Sequence, residues 1–230
     1  MLKENLKNVQ DNIAEACMKV KRNPEEVTLV AVSKTKPLSD IEELMTYGVT
    51  EYGENKVQEL CDKFENVSKP VHWHLIGHLQ TNKVKYIVDK ACLIHSVDSV
   101  HLAREIEKQA EKKNVVANIL IQVNIAHEET KFGIDEKNIY DILDEIKSFK
   151  HIKVKGLMTI APFVENPEEN RDYFRKMHQL LLDIKSKNID NIDMSILSMG
   201  MTNDYMVAIE EGATMVRVGT GIFGERNYNI

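Results

Sequence analysis

The sequence predicts a (β/α)8 barrel with an extra helix before its first strand. Three observations lead to this fold class: eight short apolar or β-branched segments recur along the chain, segments with helical spacing separate them, and the length of 230 residues suits one large α/β domain. No Gly/Pro/Ser-rich linker, charge block or internal repeat divides the sequence, so we expect a single domain over residues 1–230. The alternative is an open doubly wound sheet built from the same elements.

Eight segments have the composition of buried parallel strands. Several are nearly continuous in apolar character, which is typical of strands covered on both faces. In chain order they occupy residues 27–35, 51–55, 71–77, 92–97, 118–124, 154–160, 194–200 and 215–220.

The segments around these strands carry apolar residues three or four apart, which is the spacing of one helix face. The stripe before strand one comprises Leu2, Leu6, Val9, Ile13, Ala16 and Val20. Similar stripes precede strand six (Ile139, Ile142, Leu143, Ile146 and Phe149) and strand seven (Tyr173, Phe174, Met177, Leu180, Leu181 and Ile184). Ser39 and the pair Asp98-Ser99 are residue types that commonly cap the start of a helix.

Composition argues against several classes of protein. The formal net charge of -6 gives no electrostatic reason to expect a nucleic acid or an anionic membrane as partner. The first 22 residues contain no continuous apolar run, so we expect neither a signal peptide nor a membrane anchor. Cys17, Cys61 and Cys92 are widely spaced and form no CxxC pair, which is typical of a reducing compartment. We expect a cytoplasmic protein.

Two predicted strand ends could bind phosphate. Active groups of such barrels lie at the carboxyl ends of the strands, and phosphate often binds after strands seven and eight. Strand seven runs into Ser198-Met199-Gly200-Met201-Thr202, and strand eight into Gly219-Thr220-Gly221. Both segments offer small residues, hydroxyls and backbone N–H groups, which favours a phosphate site. The alternative is a pair of ordinary βα turns.

Lys34 is a candidate Schiff-base lysine. Alternation places Val30, Val32 and Lys34 on one face of strand one, with Lys34 near its carboxyl end. Desolvation there would favour the neutral amine, which can condense with a carbonyl. The alternative is a lysine paired with a neighbouring carboxylate. Lys36 shares the same parity but precedes Pro37, so it is the weaker candidate.

Arg217 shares one face of strand eight with Met215 and Gly219. A buried guanidinium must be paired or bound to a ligand. We therefore expect Arg217 to face the ligand on the same side as the phosphate loop. The alternative is a structural ion pair with an interior carboxylate such as Glu54.

His72 and His74 lie two apart on strand three and face the same way, an arrangement that can bind a metal. A zinc site needs three or four ligands, and no partner cluster stands out in the sequence. We therefore expect no metal site.

Six ordered motifs carry a family resemblance. AVSKTKP, EYGENKVQE, WHLIGHLQTNK, GLMTI, LSMGMTNDY and VRVGTGIFGER, spread over about residues 27–226, resemble the pyridoxal phosphate homeostasis protein family. Those proteins look like the barrel domain of alanine racemase without its second domain. The resemblance implies that pyridoxal 5′-phosphate (PLP) is the cofactor.

The resemblance also implies roles for individual residues. Lys34 would form the Schiff base, Asn55 would lie near the 3-hydroxyl side of the ring, and Arg217 would face the pyridine nitrogen. The phosphate would be held by Ser198, Gly200, Gly219 and Thr220, and the mouth would include His74, Gly77, Gln80 and Asn82. One departure is Thr202, where the resemblance leads us to expect serine; the hydroxyl is retained.

The expected role of Arg217 argues against catalysis. An arginine beside the pyridine nitrogen donates a hydrogen bond and disfavours ring protonation, which makes the ring a poor electron sink. In the racemases a second domain supplies a tyrosine base, and we expect no room for that domain here. If a base exists, His74 and Tyr52 are the first candidates.

The sequence therefore favours a non-catalytic PLP-binding protein that acts in vitamin B6 and amino-acid homeostasis. We expect a monomer with PLP-dependent apo-enzymes as its partners. The alternatives are a small PLP-dependent amino-acid racemase and an aldolase-type lyase that uses Lys34 on a phosphorylated sugar without PLP.

Overall fold

Eight parallel strands close into a barrel in the computed structural model, which describes residues 1–128 and 130–225. The last strand pairs with the first, Thr28 lying opposite Met215, so the predicted barrel is confirmed and the open sheet is wrong. The strands are β1 (Thr28–Val32), β2 (Glu51–Glu54), β3 (His72–Leu75), β4 (Ala91–Val97), β5 (Ala117–Gln122), β6 (Ile152–Met158), β7 (Ile192–Ser198) and β8 (Met215–Val218).

The helices are α1 (Leu2–Lys19), α2 (Leu38–Thr46), α3 (Val57–Asn66), α4 (Val84–Ile87), α5 (Val100–Lys113), α6 (Ile139–Ile146), α7 (Arg171–Ser186), α8 (Tyr205–Glu210) and α9 (Thr220–Phe223). Helices α2 to α8 connect consecutive strands, while α1 precedes β1 and α9 follows β8. In the part of the chain that the structure describes, no helix combines the length and the apolar character that crossing a bilayer would require.

The extra amino-terminal helix packs beside the last two helices. Helix α1 buries the predicted stripe from Leu6 to Ala16, while Val20 lies beyond its end and is exposed. Asn5 in α1 donates a hydrogen bond of 3.0 Å to the carbonyl oxygen of Ile222 in α9. Helix α1 therefore supports, from behind, the segment that follows β8.

Apolar side chains from several strands fill the interior of the barrel. One cluster consists of Val30, Leu93, Leu120, Met158 and Met215, separate from the larger core between strands and helices. This packing is expected because inward-pointing residues of parallel barrels interdigitate.

Seven of the eight strands end earlier than the sequence predicts, whereas β4 ends at Val97 as predicted. Strand β1 ends at Val32, so Lys34 lies in the following turn and not on the strand. Thr35 in this turn has a φ of 64°, a left-handed conformation that no strand residue adopts. On the neighbouring strand, β8 ends at Val218, and α9 begins at Thr220.

Candidate functional site

A cavity of about 510 Å³ opens at the carboxyl ends of the strands. Its wall includes residues that lie within three positions after the ends of β1, β2, β3, β6, β7 and β8, as expected for the functional face of this fold. The predicted site residues that line it are Lys34, Asn55, Gly77, Arg217, Gly219 and Thr220. The structure thus brings together residues that lie far apart in the sequence.

A buried polar network holds the turn that carries Lys34. The backbone N–H of Thr35 donates to the Oε1 atom of Glu59 at 2.6 Å. Lys63 in α3 donates to the same Glu59 oxygen, to Glu54 Oε1 and to the carbonyl oxygen of Ser33, each at 2.8 Å. Lys63 therefore ties β2 and α3 to the turn at the end of β1.

Glu54 is the interior carboxylate that the sequence offers as an ion-pair partner for Arg217. The structure pairs it with Lys63 instead, and the Ser33 hydroxyl donates to the same oxygen at 2.5 Å. Burial raises the pKa of Glu54, while Lys63 acts in the opposite direction. Lys63 was not among the residues predicted from the sequence, although its position one helical turn after Glu59 was a usable signal.

Lys36, the weaker lysine candidate, is bound elsewhere. Its Nζ atom donates to the carbonyl oxygen of Phe223 at 3.0 Å, and it is not among the described residues that line the cavity. Lys34 does line the cavity and is partly exposed. Of these two lysines, Lys34 is the one among the described lining residues, and its role in a Schiff base stays a prediction.

Arg217 is 4% exposed and borders the cavity. Its Nη1 atom donates to Ser198 Oγ at 2.6 Å, and its Nη2 atom donates to the carbonyl oxygen of Thr159 at 2.9 Å. Burial lowers the pKa of Arg217 to about 10, and the charge of Asp204 opposes this shift. The guanidinium therefore remains protonated at neutral pH.

A chain of hydrogen bonds leads from Ser198 through the interior of the barrel. Ser198 Oγ lies 3.0 Å from His95 Nδ1, and His95 Nε2 lies 2.9 Å from His74 Nδ1. His74 Nε2 lies 2.8 Å from Glu51 Oε2, at the amino end of β2. The chain connects the cavity to the opposite end of the barrel.

The two ends of this chain determine where its protons lie. Burial, His74 and Arg217 lower the pKa of His95 well below its usual range, so His95 is neutral. Although burial acts in the opposite direction, hydrogen bonds from His74 and His72 lower the pKa of Glu51 to about 2. Arg217 can only donate and the Glu51 carboxylate can only accept. Hydrogen bonds that all point from Arg217 toward Glu51 satisfy both ends of the chain, and in this arrangement Ser198 donates to His95 Nδ1 and His95 Nε2 donates to His74.

Two residues assigned to the phosphate by resemblance lie outside the described cavity wall. Ser198 is fully buried, with its hydroxyl between Arg217 and His95. Gly200 has a φ of 91°, and a Cβ atom there would lie 2.6 Å from the Cβ atom of Ala208. Close packing against Ala208 explains the glycine at position 200, and hydrogen bonds to Arg217 and His95 explain the serine at position 198. A direct phosphate contact by either residue stays a prediction.

Thr202 joins the segments that follow β7 and β8. Its Oγ1 atom accepts hydrogen bonds from the Thr220 hydroxyl at 3.2 Å and from the backbone N–H of Gly221 at 3.3 Å. Both threonines line the cavity. The position where the sequence departs from the expected serine therefore has a defined place in the site, which the sequence analysis did not assign.

The residues at the mouth of the cavity differ from those that the family resemblance implies. Gly77 lines the cavity, and a Cβ atom there would lie 2.2 Å from the carbonyl oxygen of Asn55, which explains the glycine. Gln80 and Asn82 are exposed and are not among the described lining residues. His78, which the sequence analysis missed, lines the cavity and stacks on Phe132 with a centroid distance of 3.8 Å.

Neither of the base candidates reaches the cavity. His74 is buried between His95 and Glu51, in the barrel interior and not at the mouth. The Tyr52 hydroxyl is buried, 3.1 Å from the carbonyl oxygen of Ile41, and burial raises the pKa of Tyr52. His74 faces the barrel interior away from the cavity, whereas Tyr52 faces outward to helix α2.

The chain is similar to known proteins over nearly its whole length. Residues 2–227 match the family described as alanine racemase, N-terminal domain. The pyridoxal phosphate homeostasis protein of Aquifex aeolicus is 46% identical, covering 98% of each chain, and that of Haemophilus influenzae is 38% identical, covering 99% of this chain and 97% of the other. The structure of PipY from Synechococcus elongatus with PLP bound is 32% identical with a TM-score of 0.81, covering 92% of this chain and 100% of the other.

Proposed function

This chain belongs to the pyridoxal phosphate homeostasis protein family, which has the alanine racemase N-terminal domain, and from that premise we propose that it binds PLP in the cavity at the carboxyl ends of the strands. The observation that carries the proposal is that Lys34 and Arg217 line the same cavity as the hydroxyl-bearing segments after β7 and β8. The PLP-bound structure of PipY, a relative at 32% identity, supports it.

The residues present fit this cofactor. The cavity volume lies within the range of ~300–1,000 Å³ that is usual for small-ligand sites. PLP combines an aldehyde, an anionic phosphate and a ring nitrogen, and the cavity offers an amine, hydroxyls and a guanidinium. When bound, PLP supplies an aldehyde that forms a Schiff base with a lysine amine and a ring that can withdraw electrons from a bound amino acid.

Each residue then has one task. Lys34 provides the amine for covalent attachment, and the Lys63 network fixes the turn that carries it. Thr220, Gly219 and Thr202 border the position for the phosphate, where hydroxyl donors favour an anion. Asn55 borders the ring on the β2 side.

The same geometry favours holding the cofactor over using it. Arg217 is protonated and anchored by Ser198 and Thr159, so a ring nitrogen facing it meets a donor and remains unprotonated. Catalysis at the amino-acid Cα would also need a positioned base. His74 and Tyr52 are buried away from the cavity, in contacts of their own. We infer that the protein stores PLP and delivers it to apo-enzymes, and thereby acts in amino-acid homeostasis.

Absorbance and reduction test this proposal. Purified protein titrated with PLP should turn yellow at one equivalent, and borohydride should fix one pyridoxyl group on the chain. A protein that stays colourless with PLP but is trapped by borohydride on a phosphorylated sugar would be an aldolase-type lyase, and the proposal would be wrong.

A further inference from the structure

At the end of the barrel opposite the cavity, the side chains of Glu51, His72, His74 and Cys92 come together. We propose that these four residues form a binding site for a divalent transition-metal ion of the Zn²⁺ class. This site is separate from the proposed cofactor cavity, since Glu51 is the first residue of β2 whereas Asn55, just past the end of that strand, lines the cavity.

Strand register creates the cluster. Glu51 in β2 lies directly opposite His72 in β3, and His74 lies opposite Leu93 in β4, next to Cys92. Ligand atoms of Glu51, His74 and Cys92 all lie within 4.8 Å of one another. His72 Nδ1 lies 2.5 Å from the other oxygen of the Glu51 carboxylate. Three neighbouring strands therefore bring three possible ligand atoms together, and His72 offers a fourth beside the other oxygen of the Glu51 carboxylate.

The donor set matches the chemistry of zinc. Zn²⁺ takes four ligands in a tetrahedron, with Zn–S at about 2.3 Å and Zn–N at about 2.0–2.1 Å. Two imidazole nitrogens, one thiolate and one carboxylate oxygen satisfy that coordination, and the sulfur disfavours Mg²⁺ and Ca²⁺. Binding converts the Cys92 thiol to a thiolate and releases its proton to solvent. The thiolate and the Glu51 carboxylate then neutralise the two charges of the ion.

A second interaction supports His74 as a ligand. Metal-binding histidines usually donate their other ring N–H to a neighbouring acceptor, which fixes the ring. His74 Nδ1 lies 2.9 Å from Nε2 of the buried His95. With a metal on His74 Nε2, the His74 proton would lie on Nδ1 and point to His95, and His95 would in turn donate to Ser198 Oγ. The hydrogen-bond chain toward Arg217 would then run in the reverse direction at both histidines.

Cobalt provides the spectroscopic probe. We expect the full chain, prepared without a polyhistidine tag, to bind one equivalent of Co²⁺ with tetrahedral absorption and a thiolate-to-cobalt charge-transfer band in the near ultraviolet. Zn²⁺ should displace the Co²⁺. Cys92→Ser should remove the charge-transfer band, and His72→Ala should weaken cobalt binding at least about tenfold. Cys61→Ser is the matched control because Cys61 is a partly buried thiol on the outer helix α3, and it should retain both band and affinity.

Two results would overturn the proposal: a titration that shows only octahedral cobalt, or a charge-transfer band that survives Cys92→Ser. Circular dichroism shows whether each variant folds. Should Cys92→Ser fail to fold, His72→Ala decides, since His72 is exposed and its removal leaves the core intact. Unchanged cobalt affinity in a folded His72→Ala protein would then refute the four-ligand site. PLP binding is measured separately, so failure of the metal site would leave the proposed function standing.

Discussion

The guanidinium of Arg217 in β8 donates to the Oγ atom of Ser198, the last residue of β7, at 2.6 Å. Both side chains are buried. The Ser198 hydroxyl cannot turn toward a ligand without leaving Arg217 and His95. Arg217 in turn keeps a fixed place on the cavity wall because Thr159 holds its other terminal nitrogen. Ser198 thus supports a cavity residue from within the barrel.

Replacing Lys34 by alanine should abolish covalent attachment of PLP. Lys36 cannot substitute for it, since its Nζ atom binds the carbonyl oxygen of Phe223. Borohydride reduction followed by peptide mapping measures the outcome, and Lys36→Ala is the matched control that should still be labelled at Lys34. A pyridoxyl group on Lys36 or Lys83 in the wild-type protein would contradict the assignment.

Pyridoxal, which lacks the phosphate, should bind far more weakly than PLP. Hydrogen bonds to a charged group contribute about 1.5–3 kcal/mol each, so losing two of them lowers affinity by roughly 100-fold or more. Spectral titration of both compounds gives the ratio. Equal affinities would show that the segments after β7 and β8 do not hold the phosphate.

Two substitutions separate direct from indirect phosphate contacts. Thr220→Val should reduce the preference for PLP over pyridoxal, because Thr220 lines the cavity. Ser198→Ala should weaken both compounds by the same factor, because its hydroxyl binds Arg217 and His95. A selective loss of PLP affinity in Ser198→Ala would instead support the direct contact that the family resemblance implies.

Exchange of the Cα proton of alanine or serine in D2O should be much slower than enzymatic turnover, which is about 1 per second or faster. The reason is that protonated Arg217 keeps the ring nitrogen unprotonated and the buried His74 and Tyr52 cannot act as bases. Proton NMR of the holo-protein with each amino acid measures the rate. Rapid exchange would favour the racemase alternative, and His78, which lines the cavity, would be the first residue to mutate.

Lys63→Met should destabilise the fold by about 3–5 kcal/mol, because it leaves the buried Glu54 carboxylate without its cation. Urea unfolding measures this change. Lys113→Met is the control, since the more exposed ion pair of Lys113 with Asp89 should contribute at most about 1 kcal/mol. Similar losses in the two variants would mean that the Lys63 network does not hold the turn that carries Lys34.

The order of strands and helices was predictable because it follows from local periodicity. The end of β1 was not, since the turn at Thr35 depends on Glu59 and Lys63, which come from a helix further along the chain. The same limit applies to His72 and His74. Their shared face was visible in the sequence, but the neighbours Glu51 and Cys92 depend on the register of three strands.

The residues of the candidate site also differ in whether the sequence alone could predict them. Lys34 stood out as a charged residue near the end of an apolar segment, and Arg217 as a charged residue within one. The interior position of Ser198 was not recognisable, because alternation gives the face of a residue and not the partners that meet it across a barrel. Those partners, His95 and Arg217, come from strands β4 and β8.

Arg217 is immobilised by Thr159 and Ser198 before any ligand arrives. A long side chain normally loses about 1.5–2 kcal/mol of rotamer entropy when it becomes ordered. Here that cost is incurred during folding, so a molecule entering the cavity meets a guanidinium that need not be ordered again. Ligand affinity at this wall is therefore coupled to folding stability. Displacing the Thr159 carbonyl or the Ser198 hydroxyl should weaken ligand binding even though neither group has to touch the ligand.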